Sequence, residues 1–123
     1  MLKINYFISK SKNNKWKFKA NEISNKSDIF ISNECTRNAL LKYLHKEIPY
    51  NISVKNHSFK TIKNNHIKIK QLIEINNPRY KSIILGKEGK TIKRIREYSQ
   101  KEIENIFNSK IHLYLEIVHV DAN

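Results

Sequence analysis

The stretch Ile83-Ile84-Leu85-Gly86-Lys87-Glu88-Gly89-Lys90-Thr91-Ile92 decides how this chain is read. An apolar helical stub runs into two glycines three apart, and a basic helix opens just after them. They are the only two glycines in 123 residues, so backbone freedom is concentrated at one junction. Lacking a Cβ, glycine turns tightly and lets another molecule's backbone come close. A glycine turn leading into a helix also presents unpaired N–H groups at the positive end of the helix dipole, an arrangement that suits phosphate. Lys87, Lys90, Lys93 and Arg94 surround the turn with positive charge, and Glu88 tempers it. On its own, G-x-x-G is equally the mark of a helix C-cap glycine followed by a permissive turn.

Upstream of the loop, Tyr50-Asn51-Ile52-Ser53-Val54-Lys55 alternates apolar and polar as a half-buried strand does. Asn64-Asn65 marks a turn, and Ile67, Ile69, Ile73 and Ile75 a second strand with Lys68, Lys70 and Glu74 on its other face. Pro78 suits N1 of a short helix over Arg79 to Leu85. Downstream, Ile92, Ile95, Ile103, Ile106 and Phe107 form the apolar stripe of a long helix, and Ile111, Leu113, Leu115 and Ile117 alternate as a last strand. Before all of these, Leu40, Leu41, Leu44 and Ile48 fill one helical face, with Asn33 as N-cap and Pro49 as the stop. The order is α-β-β-α-α-β: an α+β domain with helices on one face of a three-stranded sheet. Residues 1–28 read as a polar, extended arm ordered only where Trp16 and Phe18 dock; the domain division puts an N-terminal arm or linker at residues 1–32 and the domain at residues 33–121.

Composition narrows the partners. Twenty-four Lys+Arg against 11 Asp+Glu leave a net charge of +13, which points to nucleic acid or an anionic surface. Part of the lysine content fits an AT-rich genome, since Asn and Ile are abundant too; the scarcity of acids does not follow from that. Cys35 is alone and cannot form an internal disulfide, which fits a reducing compartment. The first residues lack a secretory h-region, and no stretch nears the ~20 apolar residues of a membrane helix. The five histidines show no metal-ligand spacing, Ser82 and Ser99 lack a nucleophile context, and Glu97, Glu102 and Glu104 read as a solvated helix face. No catalytic residue, metal or cofactor is expected.

The local sequence also resembles a known family. Trp16, Asn21-Glu22-Ile23-Ser24-Asn25, Glu34-Cys35-Thr36-Arg37, Leu40-Leu41 and Glu47-Ile48-Pro49-Tyr50 are similar to the segment that joins the GTPase domain of the Era family to its KH domain. Ile83 to Gly89 followed by Ile92-Lys93 resembles that family's I-I-[IL]-G-K-x-G-x-x-[IL]-K, and His112-Leu113-Tyr114-Leu115 its closing strand. The resemblance covers roughly residues 16–120. It departs at Asn38, where the family has Glu, and at Glu88, where Gly or Lys is commoner. No G-x-x-x-x-G-K-[ST] occurs, so the chain looks like the C-terminal part of an Era-like GTPase, as a fragment, split gene or relic.

The resemblance implies a type II KH domain that binds single-stranded small-subunit (16S) rRNA near its 3′ end during ribosome assembly. Carried onto the matching positions, Gly86 and Gly89 admit the RNA backbone, Lys87 and Lys90 contact phosphates beside Glu88, and Lys93 and Arg94 extend the basic track. Ile83, Ile84 and Ile92 form an apolar floor under the bases; Ile67 and Ile69 face the helices instead. It further implies a monomer acting in the cytoplasm or an organelle matrix or stroma, with any GTPase domain supplied elsewhere and at most peripheral membrane contact. The rival readings are a basic ribosome- or membrane-surface module using the helix from Lys90 to Lys101, and a non-functional remnant.

Overall fold

Alternate residues of one strand, Ile67, Ile69, Gln71, Ile73 and Ile75, are all buried, and this row is the floor beneath the helices. The computed structural model describes residues 14–45 and 47–121. Its elements are α1 (Asn14–Tyr43), β1 (Ile52–Ile62), β2 (His66–Ile75), α2 (Arg79–Leu85), α3 (Lys90–Phe107) and β3 (Lys110–His119). The sheet order is β1-β2-β3: β1 runs antiparallel to β2, and β2 runs parallel to β3. A parallel pair needs a crossover, which α2 and α3 supply. This is the expected α-β-β-α-α-β order, a mixed three-stranded sheet with its helices on one face.

Two apolar clusters fill the layer between them. Ala39, Leu40, Ile73, Ile75, Ile84 and Ile95 centre one, and Cys35, Ile67, Ile69, Ile103, Ile111 and Leu113 form the other. Ile67 and Ile69 thus face the helices, as the alternation predicts. Each fully buried isoleucine contributes roughly 1.5–3 kcal/mol relative to an exposed one. Gln71 is the polar exception in the floor. Thr36 Oγ1 donates to its Oε1, and its Nε2 donates to Asn33 Oδ1 at 3.2 Å, so the amide is satisfied while it ties α1 to the sheet centre.

Several expectations need correction. α1 begins at Asn14, so Asn33 lies inside the helix and is not its N-cap, and residues 14–28 are helical rather than extended. Asn33 instead spends its side chain on Gln71. Residues 1–13 and the side chains of Trp16 and Phe18 lie outside the described part. α1 ends at Tyr43, before Pro49, which opens a 3-10 turn over Pro49–Asn51. Pro78 is the N-cap of α2 rather than N1. Ile106 is 54% exposed and does not belong to the buried stripe; Ser99 takes a place there, donating to Ile95 O at 2.7 Å. Glu104 is not simply solvated. Its Oε2 accepts from Ile111 N at 3.1 Å, and Gln100 Oε1 accepts from Leu113 N at 3.2 Å, so α3 covers the outer edge of β3 near its start.

Candidate nucleic-acid interface

The glycine loop is held at both ends. At the start of α2, Arg79 N donates to Asn77 Oδ1 at 3.0 Å, an Asx-type turn that stands in for the missing cap. α2 closes where Gly86 N donates to Ser82 O at 2.9 Å. Gly86 then adopts φ 74°, ψ 177°, a combination essentially reserved for glycine. A Cβ there would lie 2.6 Å from Thr91 Cβ and 2.9 Å from Thr91 N, so the loop folds tightly onto the first turn of α3. Glu88 (φ 57°) and Gly89 (φ 74°) follow in left-handed conformations, and Gly89 N donates to Gly86 O at 3.1 Å.

The two glycines therefore have different roles. Gly86 is demanded by the chain itself. Gly89 faces open space, since a Cβ built on it meets nothing within 4 Å. Its lack of a side chain leaves room beside the backbone for something outside the protein.

The charges repeat this message. Gly89 caps α3 without a side-chain hydrogen bond, and the first turn of α3 carries no acid. Lys87, Lys90, Lys93 and Arg94 are all exposed around that end. Cations at a helix N-terminus oppose the dipole and weaken the isolated helix, whereas an anion there is favoured by both. Glu88 is the only acid in the loop; its Oε1 lies 4.0 Å from Lys90 Nζ, and so exposed a pair holds little.

Lys87, Glu88, Lys90, Lys93 and Arg94 are exposed, Gly86 and Gly89 are half-buried, and Lys90, Lys93 and Arg94 share one face of α3 by their helical spacing. Ile83 is 40% exposed and Ile92 half-buried, both able to present apolar area. Ile84 does not join them. It is 0% exposed and packs with Ile73, Ile75 and Ile95, so it supports the loop from beneath and offers no floor to a base. Beside the loop helix, β3 is an edge strand whose Leu115 and Ile117 pack against the same cluster as Ile92. By strand alternation their N–H groups point to the open edge, as those of Ile111 and Leu113 do, beyond the part that α3 covers.

A family model described as "KH domain" matches residues 47–123. The chain belongs to the KH domain family. Among curated relatives, it is 36% identical over 112 residues to GTPase Era of Rickettsia conorii, covering 91% of this chain and 33% of that protein. It is 38% identical over 112 residues to GTPase Era of Rickettsia prowazekii, covering 91% of this chain and 38% of that one. Two solved structures superpose on it with a TM-score of 0.71 at 27% identity, covering 76% of this chain and 32% of theirs. One is Era in complex with MgGDPNP and nucleotides 1506–1542 of 16S ribosomal RNA; the other is a point variant of Aquifex aeolicus Era bound to GDP.AlF4-. The KH chain thus spans about a third of the length of the Era proteins it matches, in keeping with a resemblance confined to their KH part.

Two features of this KH chain escape a reading by motif. His66 and His112 sit on neighbouring strands with Nδ1 and Nε2 3.0 Å apart and rings 5.1 Å between centroids. Their sequence separation hides a contact that only the parallel register creates. Cys35 is buried, and desolvation with Glu102 and Glu34 nearby pushes its thiol up to about 12, so it is an inert core residue. Among the described residues no group of three or more His, Cys, Asp or Glu is placed to hold a metal.

Proposed function

We propose that this chain is the RNA-binding KH module of an Era-like ribosome-assembly GTPase, which takes single-stranded small-subunit rRNA near its 3′ end at the Gly86–Gly89 loop. The observation that carries this reading is the open side of Gly89 at an uncapped, basic helix N-terminus. A phosphate lying against Gly89 meets backbone N–H groups, the helix dipole and Lys87 and Lys90 together. Ile83 and Ile92 offer apolar contact to the bases, and the free edge of β3 supplies backbone groups for their Watson–Crick edges. What points to the rRNA end is the similarity to an Era that was solved with nucleotides 1506–1542 of 16S ribosomal RNA.

In this reading nucleotide hydrolysis is the task of a GTPase domain supplied elsewhere. The module acts as a monomer on the small ribosomal subunit, in the cytoplasm or an organelle of bacterial descent, with at most peripheral membrane contact. Binding to a short RNA copying the 3′ end of the chain's own small-subunit rRNA, against a scrambled RNA at near-physiological salt, tests it. Preference for the true sequence is expected. Equal weak binding to both would reduce the interaction to charge and remove the reading.

A further inference from the structure

Neither the loop nor the core uses the sheet face turned away from the helices. The strand registers sort its side chains into rows. At the end formed by the β1–β2 turn, Lys60 is the Cα partner of Lys68, Lys68 of His112, and His66 of Lys110, with Lys70 one row on. The acids of this face, Glu74 and Glu116, lie at the other end, and Glu116 Oε1 is engaged by Lys70 Nζ at 3.2 Å. Lys60, Lys68 and Lys110 are exposed and have no carboxylate partner among the described residues.

Like charges set directly opposite each other destabilise a sheet, so the Lys60–Lys68 pair is a cost that the fold alone does not explain. A polyanion would relieve it. Successive lysine rows along a strand are about 7 Å apart, of the order of the phosphate spacing on one RNA strand. A metal ion between His66 and His112 is disfavoured by the same lysines. Non-specific single-strand binders commonly stack unpaired bases on aromatic faces. Tyr114 is 50% exposed, but the Lys68 ammonium lies over its ring at 5.6 Å from the centroid. The patch therefore offers mainly point charges, which suits the backbone of a paired helix. It is also remote from the glycine loop: α3, with 18 residues and so about 27 Å long, runs from that loop to the end beside Lys110, on the opposite face of the sheet.

We propose that the turn end of the outer sheet face is a second RNA-binding surface, which takes the phosphate backbone of a double-helical RNA segment through Lys60, Lys68 and Lys110. The proposal does not depend on the loop reading. It is tested with the whole chain by fluorescence anisotropy over a salt series, using a fully paired RNA duplex and a single-stranded RNA. Near 0.15 M salt each neutralised phosphate is worth about fivefold, so Lys60→Glu/Lys68→Glu/Lys110→Glu should weaken duplex binding roughly a hundredfold and flatten the log–log salt slope by about three. The loop variant Lys87→Asp/Glu88→Asp should weaken single-strand binding and leave duplex affinity within about twofold. Lys60→Glu alone puts opposite charges on a directly paired position; it should raise the thermal midpoint yet weaken the duplex complex, and it decides the matter should the triple variant not fold.

A natively folded triple variant that binds duplex like wild type overturns the proposal. So does a wild-type chain that ignores duplex, a loop variant that loses both ligands, or equal competition by polyglutamate at matched charge. Duplex binding that persists in a chain with no single-strand preference supports this surface and removes only the loop reading.

Discussion

The two loop glycines should differ sharply when each is replaced by alanine. At Gly86, φ 74° with ψ 177° is a conformation that costs an L-residue about 1–3 kcal/mol. The new Cβ would also run into Thr91 Oγ1 and stand 2.6 Å from Thr91 Cβ and 2.9 Å from Thr91 N. The hydroxyl can rotate away, but Cβ and N are fixed by the first turn of α3, so relief requires moving a helix end. Together these terms put Gly86→Ala at roughly 3–4 kcal/mol of destabilisation. At Gly89, φ 74° and ψ 14° are ordinary left-handed values, and the added Cβ touches nothing. The left-handed cost of about 1–2 kcal/mol is partly offset by the lower unfolded-state entropy of alanine, leaving about 1 kcal/mol. Urea denaturation of both variants measures the difference directly through the midpoint at constant slope. RNA binding should reverse the ranking: Gly89→Ala stays folded but obstructs the backbone approach. Equal destabilisation by the two substitutions, or a larger loss at Gly89, would refute the division of labour drawn from the geometry.

Glu88 occupies a left-handed position at φ 57°, so Glu88→Asn, which tolerates that conformation, should stabilise the domain by several tenths of a kcal/mol in urea titrations and tighten RNA binding by removing a like charge to phosphate. Ile95 is 0% exposed, and Ile95→Asp buries an unpaired carboxylate; far-ultraviolet circular dichroism should show an unfolded chain, and a folded variant would mean that the buried face of α3 is wrongly assigned. Burial raises the Asp28 carboxyl from 3.8 to about 6. Between these values the folded chain holds a proton that the unfolded chain has released, so this group's contribution to stability is fullest in acid and falls as pH rises through that window. Asp28 is half-buried, which discounts the effect to about 1 kcal/mol. Asp28→Asn should remove that pH dependence and be the more stable protein at pH 7, as read from thermal midpoints at both pH extremes.

The strands and helices around the loop were legible because their apolar spacing is undiluted. Ile67, Ile69, Ile73 and Ile75 show a period of two, interrupted only at Gln71, and that break makes sense once Thr36 and Asn33 are seen across from it. The second half of β1 was not legible, because the register shift between Asn56 and Ser58 throws its alternation out of phase before Phe59 turns inward to meet Phe107. The first half of α1 was hidden for a different reason: Lys, Asn and Ser dominate it, and such a segment has no apolar period to read. Ile106 satisfied the helical spacing beside Ile103 and Phe107, yet a stripe flanked by three apolar positions cannot say which one the partner helix leaves uncovered.

The candidate site divides along the same line. Gly86 and Gly89 are conspicuous in sequence, but their unequal roles depend on where a Cβ would point, and that follows from the packing of Thr91 against the loop. Ile84 was misassigned because adjacent isoleucines in a short helix face different ways: at a turn of 3.6 residues, one of Ile83 and Ile84 must point into the domain when the other is exposed. The lysine rows on the outer sheet are the extreme case. Lys60 and Lys68 flank one turn, Lys110 lies far along the chain, and all three look like part of a generally basic background. Only the joint antiparallel and parallel registers place them at one end of one face, so their significance is a property of the fold and not of any segment. A charge excess of +13 could be scattered without consequence; here the registers leave lysine facing lysine where an alternative pairing of signs would have been more stable. That retained repulsion, more than the total charge, is the physical reason to look for an anion on the outer face of this sheet.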